Sequence, residues 1–184
     1  MGMTLIELLI VLAISAILLA VGVPMFNATI SGSKTAGAAS DLRGALELAR
    51  SEAIRRGVTV SICRVTAPNA TPPVCSNAAA GIFAAGDWAS GWVVFVEDAA
   101  GGTVGTVDAL DTVLRRQNSS NPGSRALVTG NAGVVSFGAD GLRVNSPGVV
   151  TAFNVSSSDP NSPRTRYICV GVTGQIYGQI GACT

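Results

Sequence analysis

The sequence offers few side chains that could form a catalytic centre. Its 184 residues include no histidine, so no Ser-His or Cys-His pair exists and the commonest metal ligand is missing. No glycine-rich phosphate-binding loop is present either. The acids that bracket one glycine-rich segment are Glu97, Asp98, Asp108 and Asp111. Their oxygens could bind Ca²⁺, but their spacing does not match a calcium-binding loop. We therefore predict solvated loop acids, no cofactor and no enzyme activity.

The overall charge and composition exclude other classes of function. With 12 basic and 11 acidic residues, the net charge is +1, which provides neither a basic field for nucleic acid nor an acidic tail. The chain is 48% hydrophobic and only 12% charged, so it is too apolar to be disordered. The apolar residues are concentrated at the N-terminus.

One carboxylate, Glu7, lies inside this apolar N-terminal segment, and no charged residue follows it until Lys34. A helix from Met3 to Pro24 would be about 33 Å long, close to the hydrocarbon thickness of a bilayer. A signal peptide is disfavoured, since no basic residue precedes the run and no typical cleavage site follows it. A plain membrane anchor does not explain Glu7, because an unpaired carboxylate in hydrocarbon costs several kcal/mol.

The residues around Glu7, GMTLIEL at positions 2–8, resemble the class III signal of type IV pilins and type II secretion pseudopilins. The resemblance implies that a prepilin peptidase cuts between Gly2 and Met3, that the new N-terminus at Met3 is methylated, and that Glu7 serves assembly. Two features differ from the usual family pattern. The leader Met1-Gly2 has no basic residue, and Met3 stands where phenylalanine is usual.

The same resemblance supplies a partner for Glu7, the freed Met3 amine of a neighbouring subunit. At ~4 Å and an effective dielectric constant near ~20, the two charges attract by about 4 kcal/mol before desolvation is subtracted. We therefore expect this pair to set the axial register of subunits more than their stability. Gly22 and Pro24 resemble the helix-loosening site of many pilins, so a kink or melted turn is expected there.

A second, amphipathic half continues the helix. Apolar residues recur at spacings of three and four, which is typical of one buried helical face: Ala38, Leu42, Ala45, Leu46, Ala49 and Ala53. The ion pairs expected on the other faces are Glu47–Arg50 and Glu52–Arg55. We interpret Arg55 and Arg56 as a helix end that suits the helix dipole, rather than as a binding patch, with Gly57 as the left-handed stop.

The rest of the chain has β patterning, so we predict an α+β fold with a long N-terminal helix packed on an antiparallel sheet. Residues 58–63 alternate like a half-buried strand, whereas residues 92–96 are apolar throughout and are expected to be covered on both faces. Further strands are predicted at 112–116, 125–129, 134–137, 142–144, 149–155, 167–172 and 175–180, with tight turns at 138–141 and 173–174 and loops at 66–85 and 157–163. Trp88 and Trp92 are predicted core anchors rather than ligand platforms.

Two blocks in this region extend the resemblance. ARSEAIRRG at 49–57 and WASGWVVFV at 88–96 are similar to the GspH/FimT branch of pseudopilins and minor pilins, as are DTVLR at 111–115 and FGADG at 137–141. This resemblance implies a type IV pilin-like fold. Its implied parts are a leader remnant at 1–2, a transmembrane and filament-core helix at 3–32, and a periplasmic head at 33–184, in which the rest of the helix (33–56) packs on a β head (58–184).

The four cysteines fit the exported head that the resemblance implies. They form no CxxC pair and a zinc site would need all four to converge, so we predict no metal site. An oxidising periplasm favours disulfides, of which three connectivities are open. We favour the local pairs Cys63–Cys75 and Cys169–Cys183, each stabilising the head by about 3 kcal/mol. The second pair resembles the C-terminal bridge of pilins.

Three functions remain open, each with the other pilins or pseudopilins of a hetero-oligomeric filament, a prepilin peptidase and an inner-membrane assembly platform as partners. We favour a minor pilin that helps to initiate a type IV pilus and lies near its tip. The first alternative is a minor GspH-like pseudopilin of a type II secretion system. The second is a FimT-like DNA-binding minor pilin, but residues 174–183 lack the arginines of such proteins. The candidate DNA contacts that remain are Arg164, Arg166 and Tyr167.

The resemblance also implies a location. Before assembly, the chain would cross the bacterial inner membrane once, with its N-terminus in the cytoplasm and its head in the periplasm. Afterwards it would lie in a pilus or pseudopilus filament. This orientation depends on the resemblance alone, because the nearest cations, Lys34 and Arg43, follow the apolar segment and contradict the positive-inside rule.

Overall fold

The computed structural model describes residues 4–76, 78, 86–97, 103–118, 126–144, 150–157 and 165–183. In this part of the chain, one long helix, α1 (Leu5–Arg56), is followed by nine strands and a short 3₁₀ turn (Trp88–Ser90). The strands are β1 (Val60–Arg64), β2 (Trp92–Val96), β3 (Thr112–Gln117), β4 (Ala126–Gly130), β5 (Val134–Phe137), β6 (Arg143–Val144), β7 (Thr151–Ser157), β8 (Thr165–Val170) and β9 (Ile176–Gln179). The predicted α+β fold is confirmed, and each predicted strand is present within a few residues.

Helix α1 has 52 residues and is about 78 Å long at 1.5 Å per residue. It ends at Gly57, whose φ of 70° and hydrogen bond from its N–H to the Ala53 carbonyl form the predicted left-handed stop. The helix runs through Gly22 and Pro24 without interruption, so the melted turn expected there is absent from this structure. A kink at these two residues, the other form of the expectation, stays a prediction.

The strands divide between two antiparallel sheets, where the pattern had indicated one. The first sheet has the order β3-β2-β1-β5-β6 and the second has the order β4-β7-β8-β9. In the first sheet Ile62 lies opposite Val94 and Val135. The predicted turns are confirmed, because residues 138–141 join β5 to β6 and residues 171–175 join β8 to β9.

One face of α1 packs against both sheets and forms the main core. The predicted apolar stripe is buried there, except that Ala39 takes the buried position next to a half-buried Ala38. Trp88 packs edge-on against Phe153, with ring centroids 4.9 Å apart, and its Nε1 donates to the Ala132 carbonyl. Trp88 and Trp92 are both buried in this core, which confirms them as anchors.

A second apolar cluster covers the outer face of the first sheet. Its members are Cys63, Val65, Val93, Phe95 and Val107. The prediction of a half-buried β1 is therefore wrong, since all five residues of β1 are buried. Arg64 alternates to the core face of β1, where its guanidinium donates to the carbonyls of Asp87, Ser76 and Ala78 at 2.6–2.7 Å and so fixes the loop after β1.

Candidate functional site

The start of α1 holds Glu7 in a reciprocal pair of hydrogen bonds. The Thr4 Oγ1 accepts from the Glu7 N–H at 3.4 Å, and the Glu7 Oε2 accepts from the Thr4 N–H at 3.5 Å. This capping box satisfies backbone donors that the first helical turn leaves free. The T-x-x-E pattern of residues 4–7 predicts such a capping box, but the sequence analysis did not identify it.

The helix on both sides of Glu7 presents large apolar side chains to the outside. These exposed residues are Leu5, Ile6, Leu8, Leu9, Ile10, Val11, Leu12, Ile14, Ile17, Leu18, Leu19 and, further along, Phe26. A contiguous apolar surface of this extent marks an interaction site, because monomeric soluble proteins rarely expose one. Across the residues placed by the structure, no helix meets both the length and the apolarity needed to cross a membrane.

The far end of α1 is built as a helix terminus. Glu52 accepts from Arg55 at 2.5 Å and from Arg56 at 2.6 Å, and these hydrogen bonds lower the pKa of Glu52 to about 2. The predicted Glu52–Arg55 pair is confirmed, and both arginines lie in the last turn of α1, where they pair with Glu52.

The other predicted ion pair, Glu47–Arg50, is wrong. The Glu47 carboxylate pairs with Arg43 at 2.7 Å, whereas the Arg50 Nε donates to the Gly141 carbonyl at 3.1 Å.

The candidate DNA contacts do not form a basic surface in the part of the head that can be described. Arg164 lies outside the described residues. Arg166 and Tyr167 line a cleft of about 330 Å³ with Arg43, whose charge is paired with Glu47. Phosphate recognition requires several unpaired cations, so this cleft is a weak candidate for nucleic acid.

The prediction that the loop acids are solvated is wrong for Glu97. This carboxylate is 8% exposed, and its Oε1 accepts from the Ser61 hydroxyl at 2.5 Å and from the Gly105 N–H at 2.7 Å. Burial raises the pKa of Glu97, and the two hydrogen bonds counteract only part of that effect. Our sequence reasoning missed this site because the side chain reaches across to β1, far away in the sequence.

The remaining loop acids stabilise local turns. The Asp108 Oδ1 accepts from the Leu110 N–H at 2.8 Å, and the Asp111 Oδ2 accepts from the Asp108 N–H at 2.9 Å. Asp98 lies outside the described residues. No group of three or more metal-binding side chains is found among the residues that could be searched.

The four cysteines form two local disulfides, Cys63–Cys75 and Cys169–Cys183, which confirms the favoured connectivity. The first closes the loop over the outer face of the first sheet, and the second ties the C-terminal tail to β8. The predicted cleavage and methylation positions, Gly2 and Met3, lie outside the described residues.

Comparisons with known proteins identify relatives for most of the chain. Residues 38–174 match the family model described as GspH, type II transport protein GspH. No curated protein matches the sequence significantly. Two crystal structures of the type IV minor pilin FimU from Pseudomonas aeruginosa strain PAO1 match with 18% identity. The P65 form covers 80% of this chain and 95% of FimU with a TM-score of 0.52, and the P21 form covers 82% and 93% with a TM-score of 0.55. At this identity, the likeness to FimU shows the fold alone.

Proposed function

Because the chain belongs to the GspH family of pilin-like structural proteins, we propose that it is a minor pilin that helps to initiate a type IV pilus and lies near its tip. Prepilin peptidase cuts it between Gly2 and Met3, and Met3 is then methylated. The observation that supports this proposal is the exposed apolar half of α1, which contains Glu7 and is continuous with a folded head. Such a surface needs an apolar cover from outside the chain.

In this proposal, two different environments cover that surface in turn. Before assembly, lipid of the inner membrane surrounds the first half of α1 while the head, residues 33–184, lies in the periplasm. During assembly, the helices of other pilins replace the lipid. A lone carboxylate in either environment needs a partner, which makes Glu7 the residue that selects the register.

Glu7 can exchange its partner at small cost. Its hydrogen bonds with Thr4 are long, at 3.4 and 3.5 Å, and both are exposed. Hydrogen bonds of this length, exposed to solvent, contribute little net stability. The charged Met3 amine of a neighbouring subunit is a stronger partner for a carboxylate in an apolar surrounding. The Thr4 contact therefore holds Glu7 until a neighbour arrives.

The test is the Glu7→Ala variant, compared with Ile6→Ala. Both remove side-chain atoms from adjacent exposed positions at the helix start, but only the first removes the charge. We expect the Glu7→Ala variant to fold, to reach the membrane fraction and to be missing from sheared filaments. Immunoblots of the membrane and filament fractions measure this. Normal incorporation of Glu7→Ala would contradict the proposed role.

A second function, the minor pseudopilin of a type II secretion system, is favoured by the description of the matching family model. The apolar helix and Glu7 would act identically in either filament, so a deletion strain has to separate the two. Loss of surface pili and twitching with normal secretion would support the pilus. Loss of secretion with normal pili would support the pseudopilus instead.

A further inference from the structure

We propose that the end of the head nearest the apolar half of α1 rests on anionic phospholipid headgroups before assembly, through Lys34, Arg116 and Arg166. The contact rests on the proposed function, in which residues 33–184 form a head outside the inner membrane. It concerns the subunit while it waits in the membrane, before other pilins replace the lipid around α1.

The three cations lie at the same level of the head. Lys34 of α1 and Gln117 of β3 line a cleft of about 270 Å³ beside α1, so Arg116, which precedes Gln117, lies next to the same part of the helix. Arg166 of β8 lines the other cleft, together with Ala36 and Arg43 of α1. All three therefore lie beside the helical turns between Lys34 and Arg43, a span of about 14 Å.

All three cations are exposed, and none forms an ion pair with a residue that the structure describes. Their neighbours Arg43 and Arg115 instead pair with acids of α1, at 2.7 Å and 4.0 Å. Arg116 donates to the carbonyls of Pro68 and Ala70, which carry no charge. This end of the head therefore has three positive charges that no described acid neutralises.

The opposite end of the head, where α1 stops, has acids next to its cations. Arg55 and Arg56 are both paired with Glu52 there. Glu97 lies at the same end, because its N–H donates to the Thr59 carbonyl just after the helix. Within the described part of the chain, the exposed cations that lack an acid partner therefore all lie at the end next to the apolar half of α1.

The length of α1 brings this end to the lipid surface. Residues 5–32 of the helix are about 42 Å long, which matches the ~40–45 Å thickness of a bilayer with its headgroups. Lys34 would therefore lie at the level of the outer phosphates when the preceding residues cross the membrane. The long side chains of Arg116 and Arg166 cover part of the remaining distance, and electrostatic attraction extends about 8 Å further at physiological salt.

The arrangement of the three cations favours a flat anionic surface over a single ligand. At about 100° per residue, Lys34 and the helix residues beside Arg166 project from opposite flanks of the buried stripe of α1. Cations spread around a helix cannot converge on one phosphate or follow one nucleic-acid duplex, but all of them can face the membrane that the helix crosses.

The membrane anchor makes a weak lipid contact sufficient. Anionic lipids attract basic residues that lie beside the membrane, and α1 already holds the head at that surface, so no capture from solution is needed. The contact also gives a reason for Lys34 to lie where the positive-inside rule disfavours it.

Quenching of a dye by labelled lipid headgroups tests the contact in the full chain. A membrane-impermeant maleimide dye is attached to Asn118→Cys, an exposed position beside the first cleft, since all four native cysteines are in disulfides. The chain is reconstituted in phosphatidylcholine vesicles or in vesicles of equal parts phosphatidylcholine and phosphatidylglycerol, each with the same fraction of headgroup nitroxide lipid. We expect stronger quenching in the anionic vesicles, and added salt should remove the difference.

Paired substitutions show which charges cause the difference. Lys34→Gln with Arg166→Gln should remove most of it, whereas Arg116 is left in place because it also binds loop carbonyls. The matched control, Arg55→Gln with Arg56→Gln, removes two charges from the opposite end and should keep the difference. A dye on Val172→Cys, in the turn between β8 and β9 at that opposite end, should be quenched equally in both vesicles.

Equal quenching of the Asn118 dye in both vesicle types would overturn the inference, as would an equal loss in the two paired variants that keep both disulfides. Duplex DNA that abolishes the quenching at physiological salt would also overturn it, because nucleic acid would then be the preferred ligand. A chain that floats with neither vesicle type would contradict the proposed function as well. If the chain floats without any lipid dependence and Glu7→Ala is still excluded from filaments, the proposed function stands without this contact.

Discussion

At the scale of single residues, Glu97 is a buried acid whose pKa depends on its contacts within the head. Burial raises its pKa, hydrogen bonds from Ser61 and Gly105 lower it by less, and Asp111 and Asp108 raise it further. The Ser136 hydroxyl lies 2.6 Å from the Ser61 hydroxyl and extends the chain of hydrogen bonds. Glu97 thus ties the loop at Gly105 to β1 and β5, which is a structural role.

This arrangement predicts the pH dependence of stability. A carboxyl with a raised folded pKa contributes stability in full below the unfolded value of 4.5, and that contribution is lost as the pH rises through the folded pKa. Glu97→Gln keeps an acceptor for Ser61 and Gly105 but cannot ionise. We expect the Tm of the variant, relative to that of the wild type, to increase with pH above about 4.5. Thermal unfolding at a series of pH values measures it.

The matched control for this series is Glu47→Gln, at an exposed site on α1. We expect the pH-dependent change in Tm to be larger for Glu97→Gln than for Glu47→Gln. If the Tm difference between Glu97→Gln and the wild type does not change with pH, ionisation of the buried Glu97 does not destabilise the head, and the prediction is wrong.

At the scale of elements, the contact between two tight turns fixes the corner of the head. Gly141 and Gly174 have φ values of 72° and 75°, and their backbones touch between β5–β6 and β8–β9. Arg50 of α1 joins this corner through its bond to the Gly141 carbonyl. These two turns, which belong to different sheets, are therefore coupled through glycine backbones and one helix side chain.

A pair of Gly→Ala substitutions tests this coupling with opposite expected signs. Gly174→Ala should destabilise the head by about 2 kcal/mol or more, since the backbone is left-handed and a Cβ would collide with the Gly141 carbonyl. Gly44→Ala lies inside α1 with no atom within 4 Å of the new Cβ, so it should stabilise by about 1 kcal/mol. Urea unfolding measures the free energy of unfolding of both variants, provided that the m-value is unchanged. Equal effects of the two substitutions would refute the coupling.

At the scale of the whole molecule, the two halves of α1 have different surroundings. Its buried side chains begin at Thr35, and from there it forms the core of the head with both sheets. Before Thr35, every side chain of α1 that the structure describes is exposed or partly exposed. The second half of α1 therefore supports the head, and the first half is free for the contacts with lipid and other subunits that we propose.

Removal of the residues before Ser31 tests this division. We expect the shortened chain to keep both disulfides and to unfold cooperatively, with a Tm within a few degrees of that of the full chain, because no described buried side chain is lost. Circular dichroism during heating and peptide mapping without reduction measure these properties. Loss of cooperative unfolding would mean that the first half of α1 supports the head.

The sequence by itself determined the features that depend on local spacing. The helical stripe, the stop at Gly57 and the strand positions all follow from periods or turns of a few residues, and each is present in the structure. The sequence only favoured the local disulfide pairs among three open connectivities, and the structure contains those pairs. The position of Glu7 within an apolar run is equally local, and it led to the family resemblance that the match to residues 38–174 supports.

Only the tertiary structure decided which surfaces are covered. Residues far apart in the sequence meet in three places: the outer cluster that covers β1, the hydrogen bond from Ser61 to Glu97 and the hydrogen bond from Arg50 to the Gly141 carbonyl. The division into two sheets and the cleft beside α1 arise in the same way. Periodicity states that a face is apolar, but it does not state what packs on it, because packing depends on how distant segments meet in three dimensions.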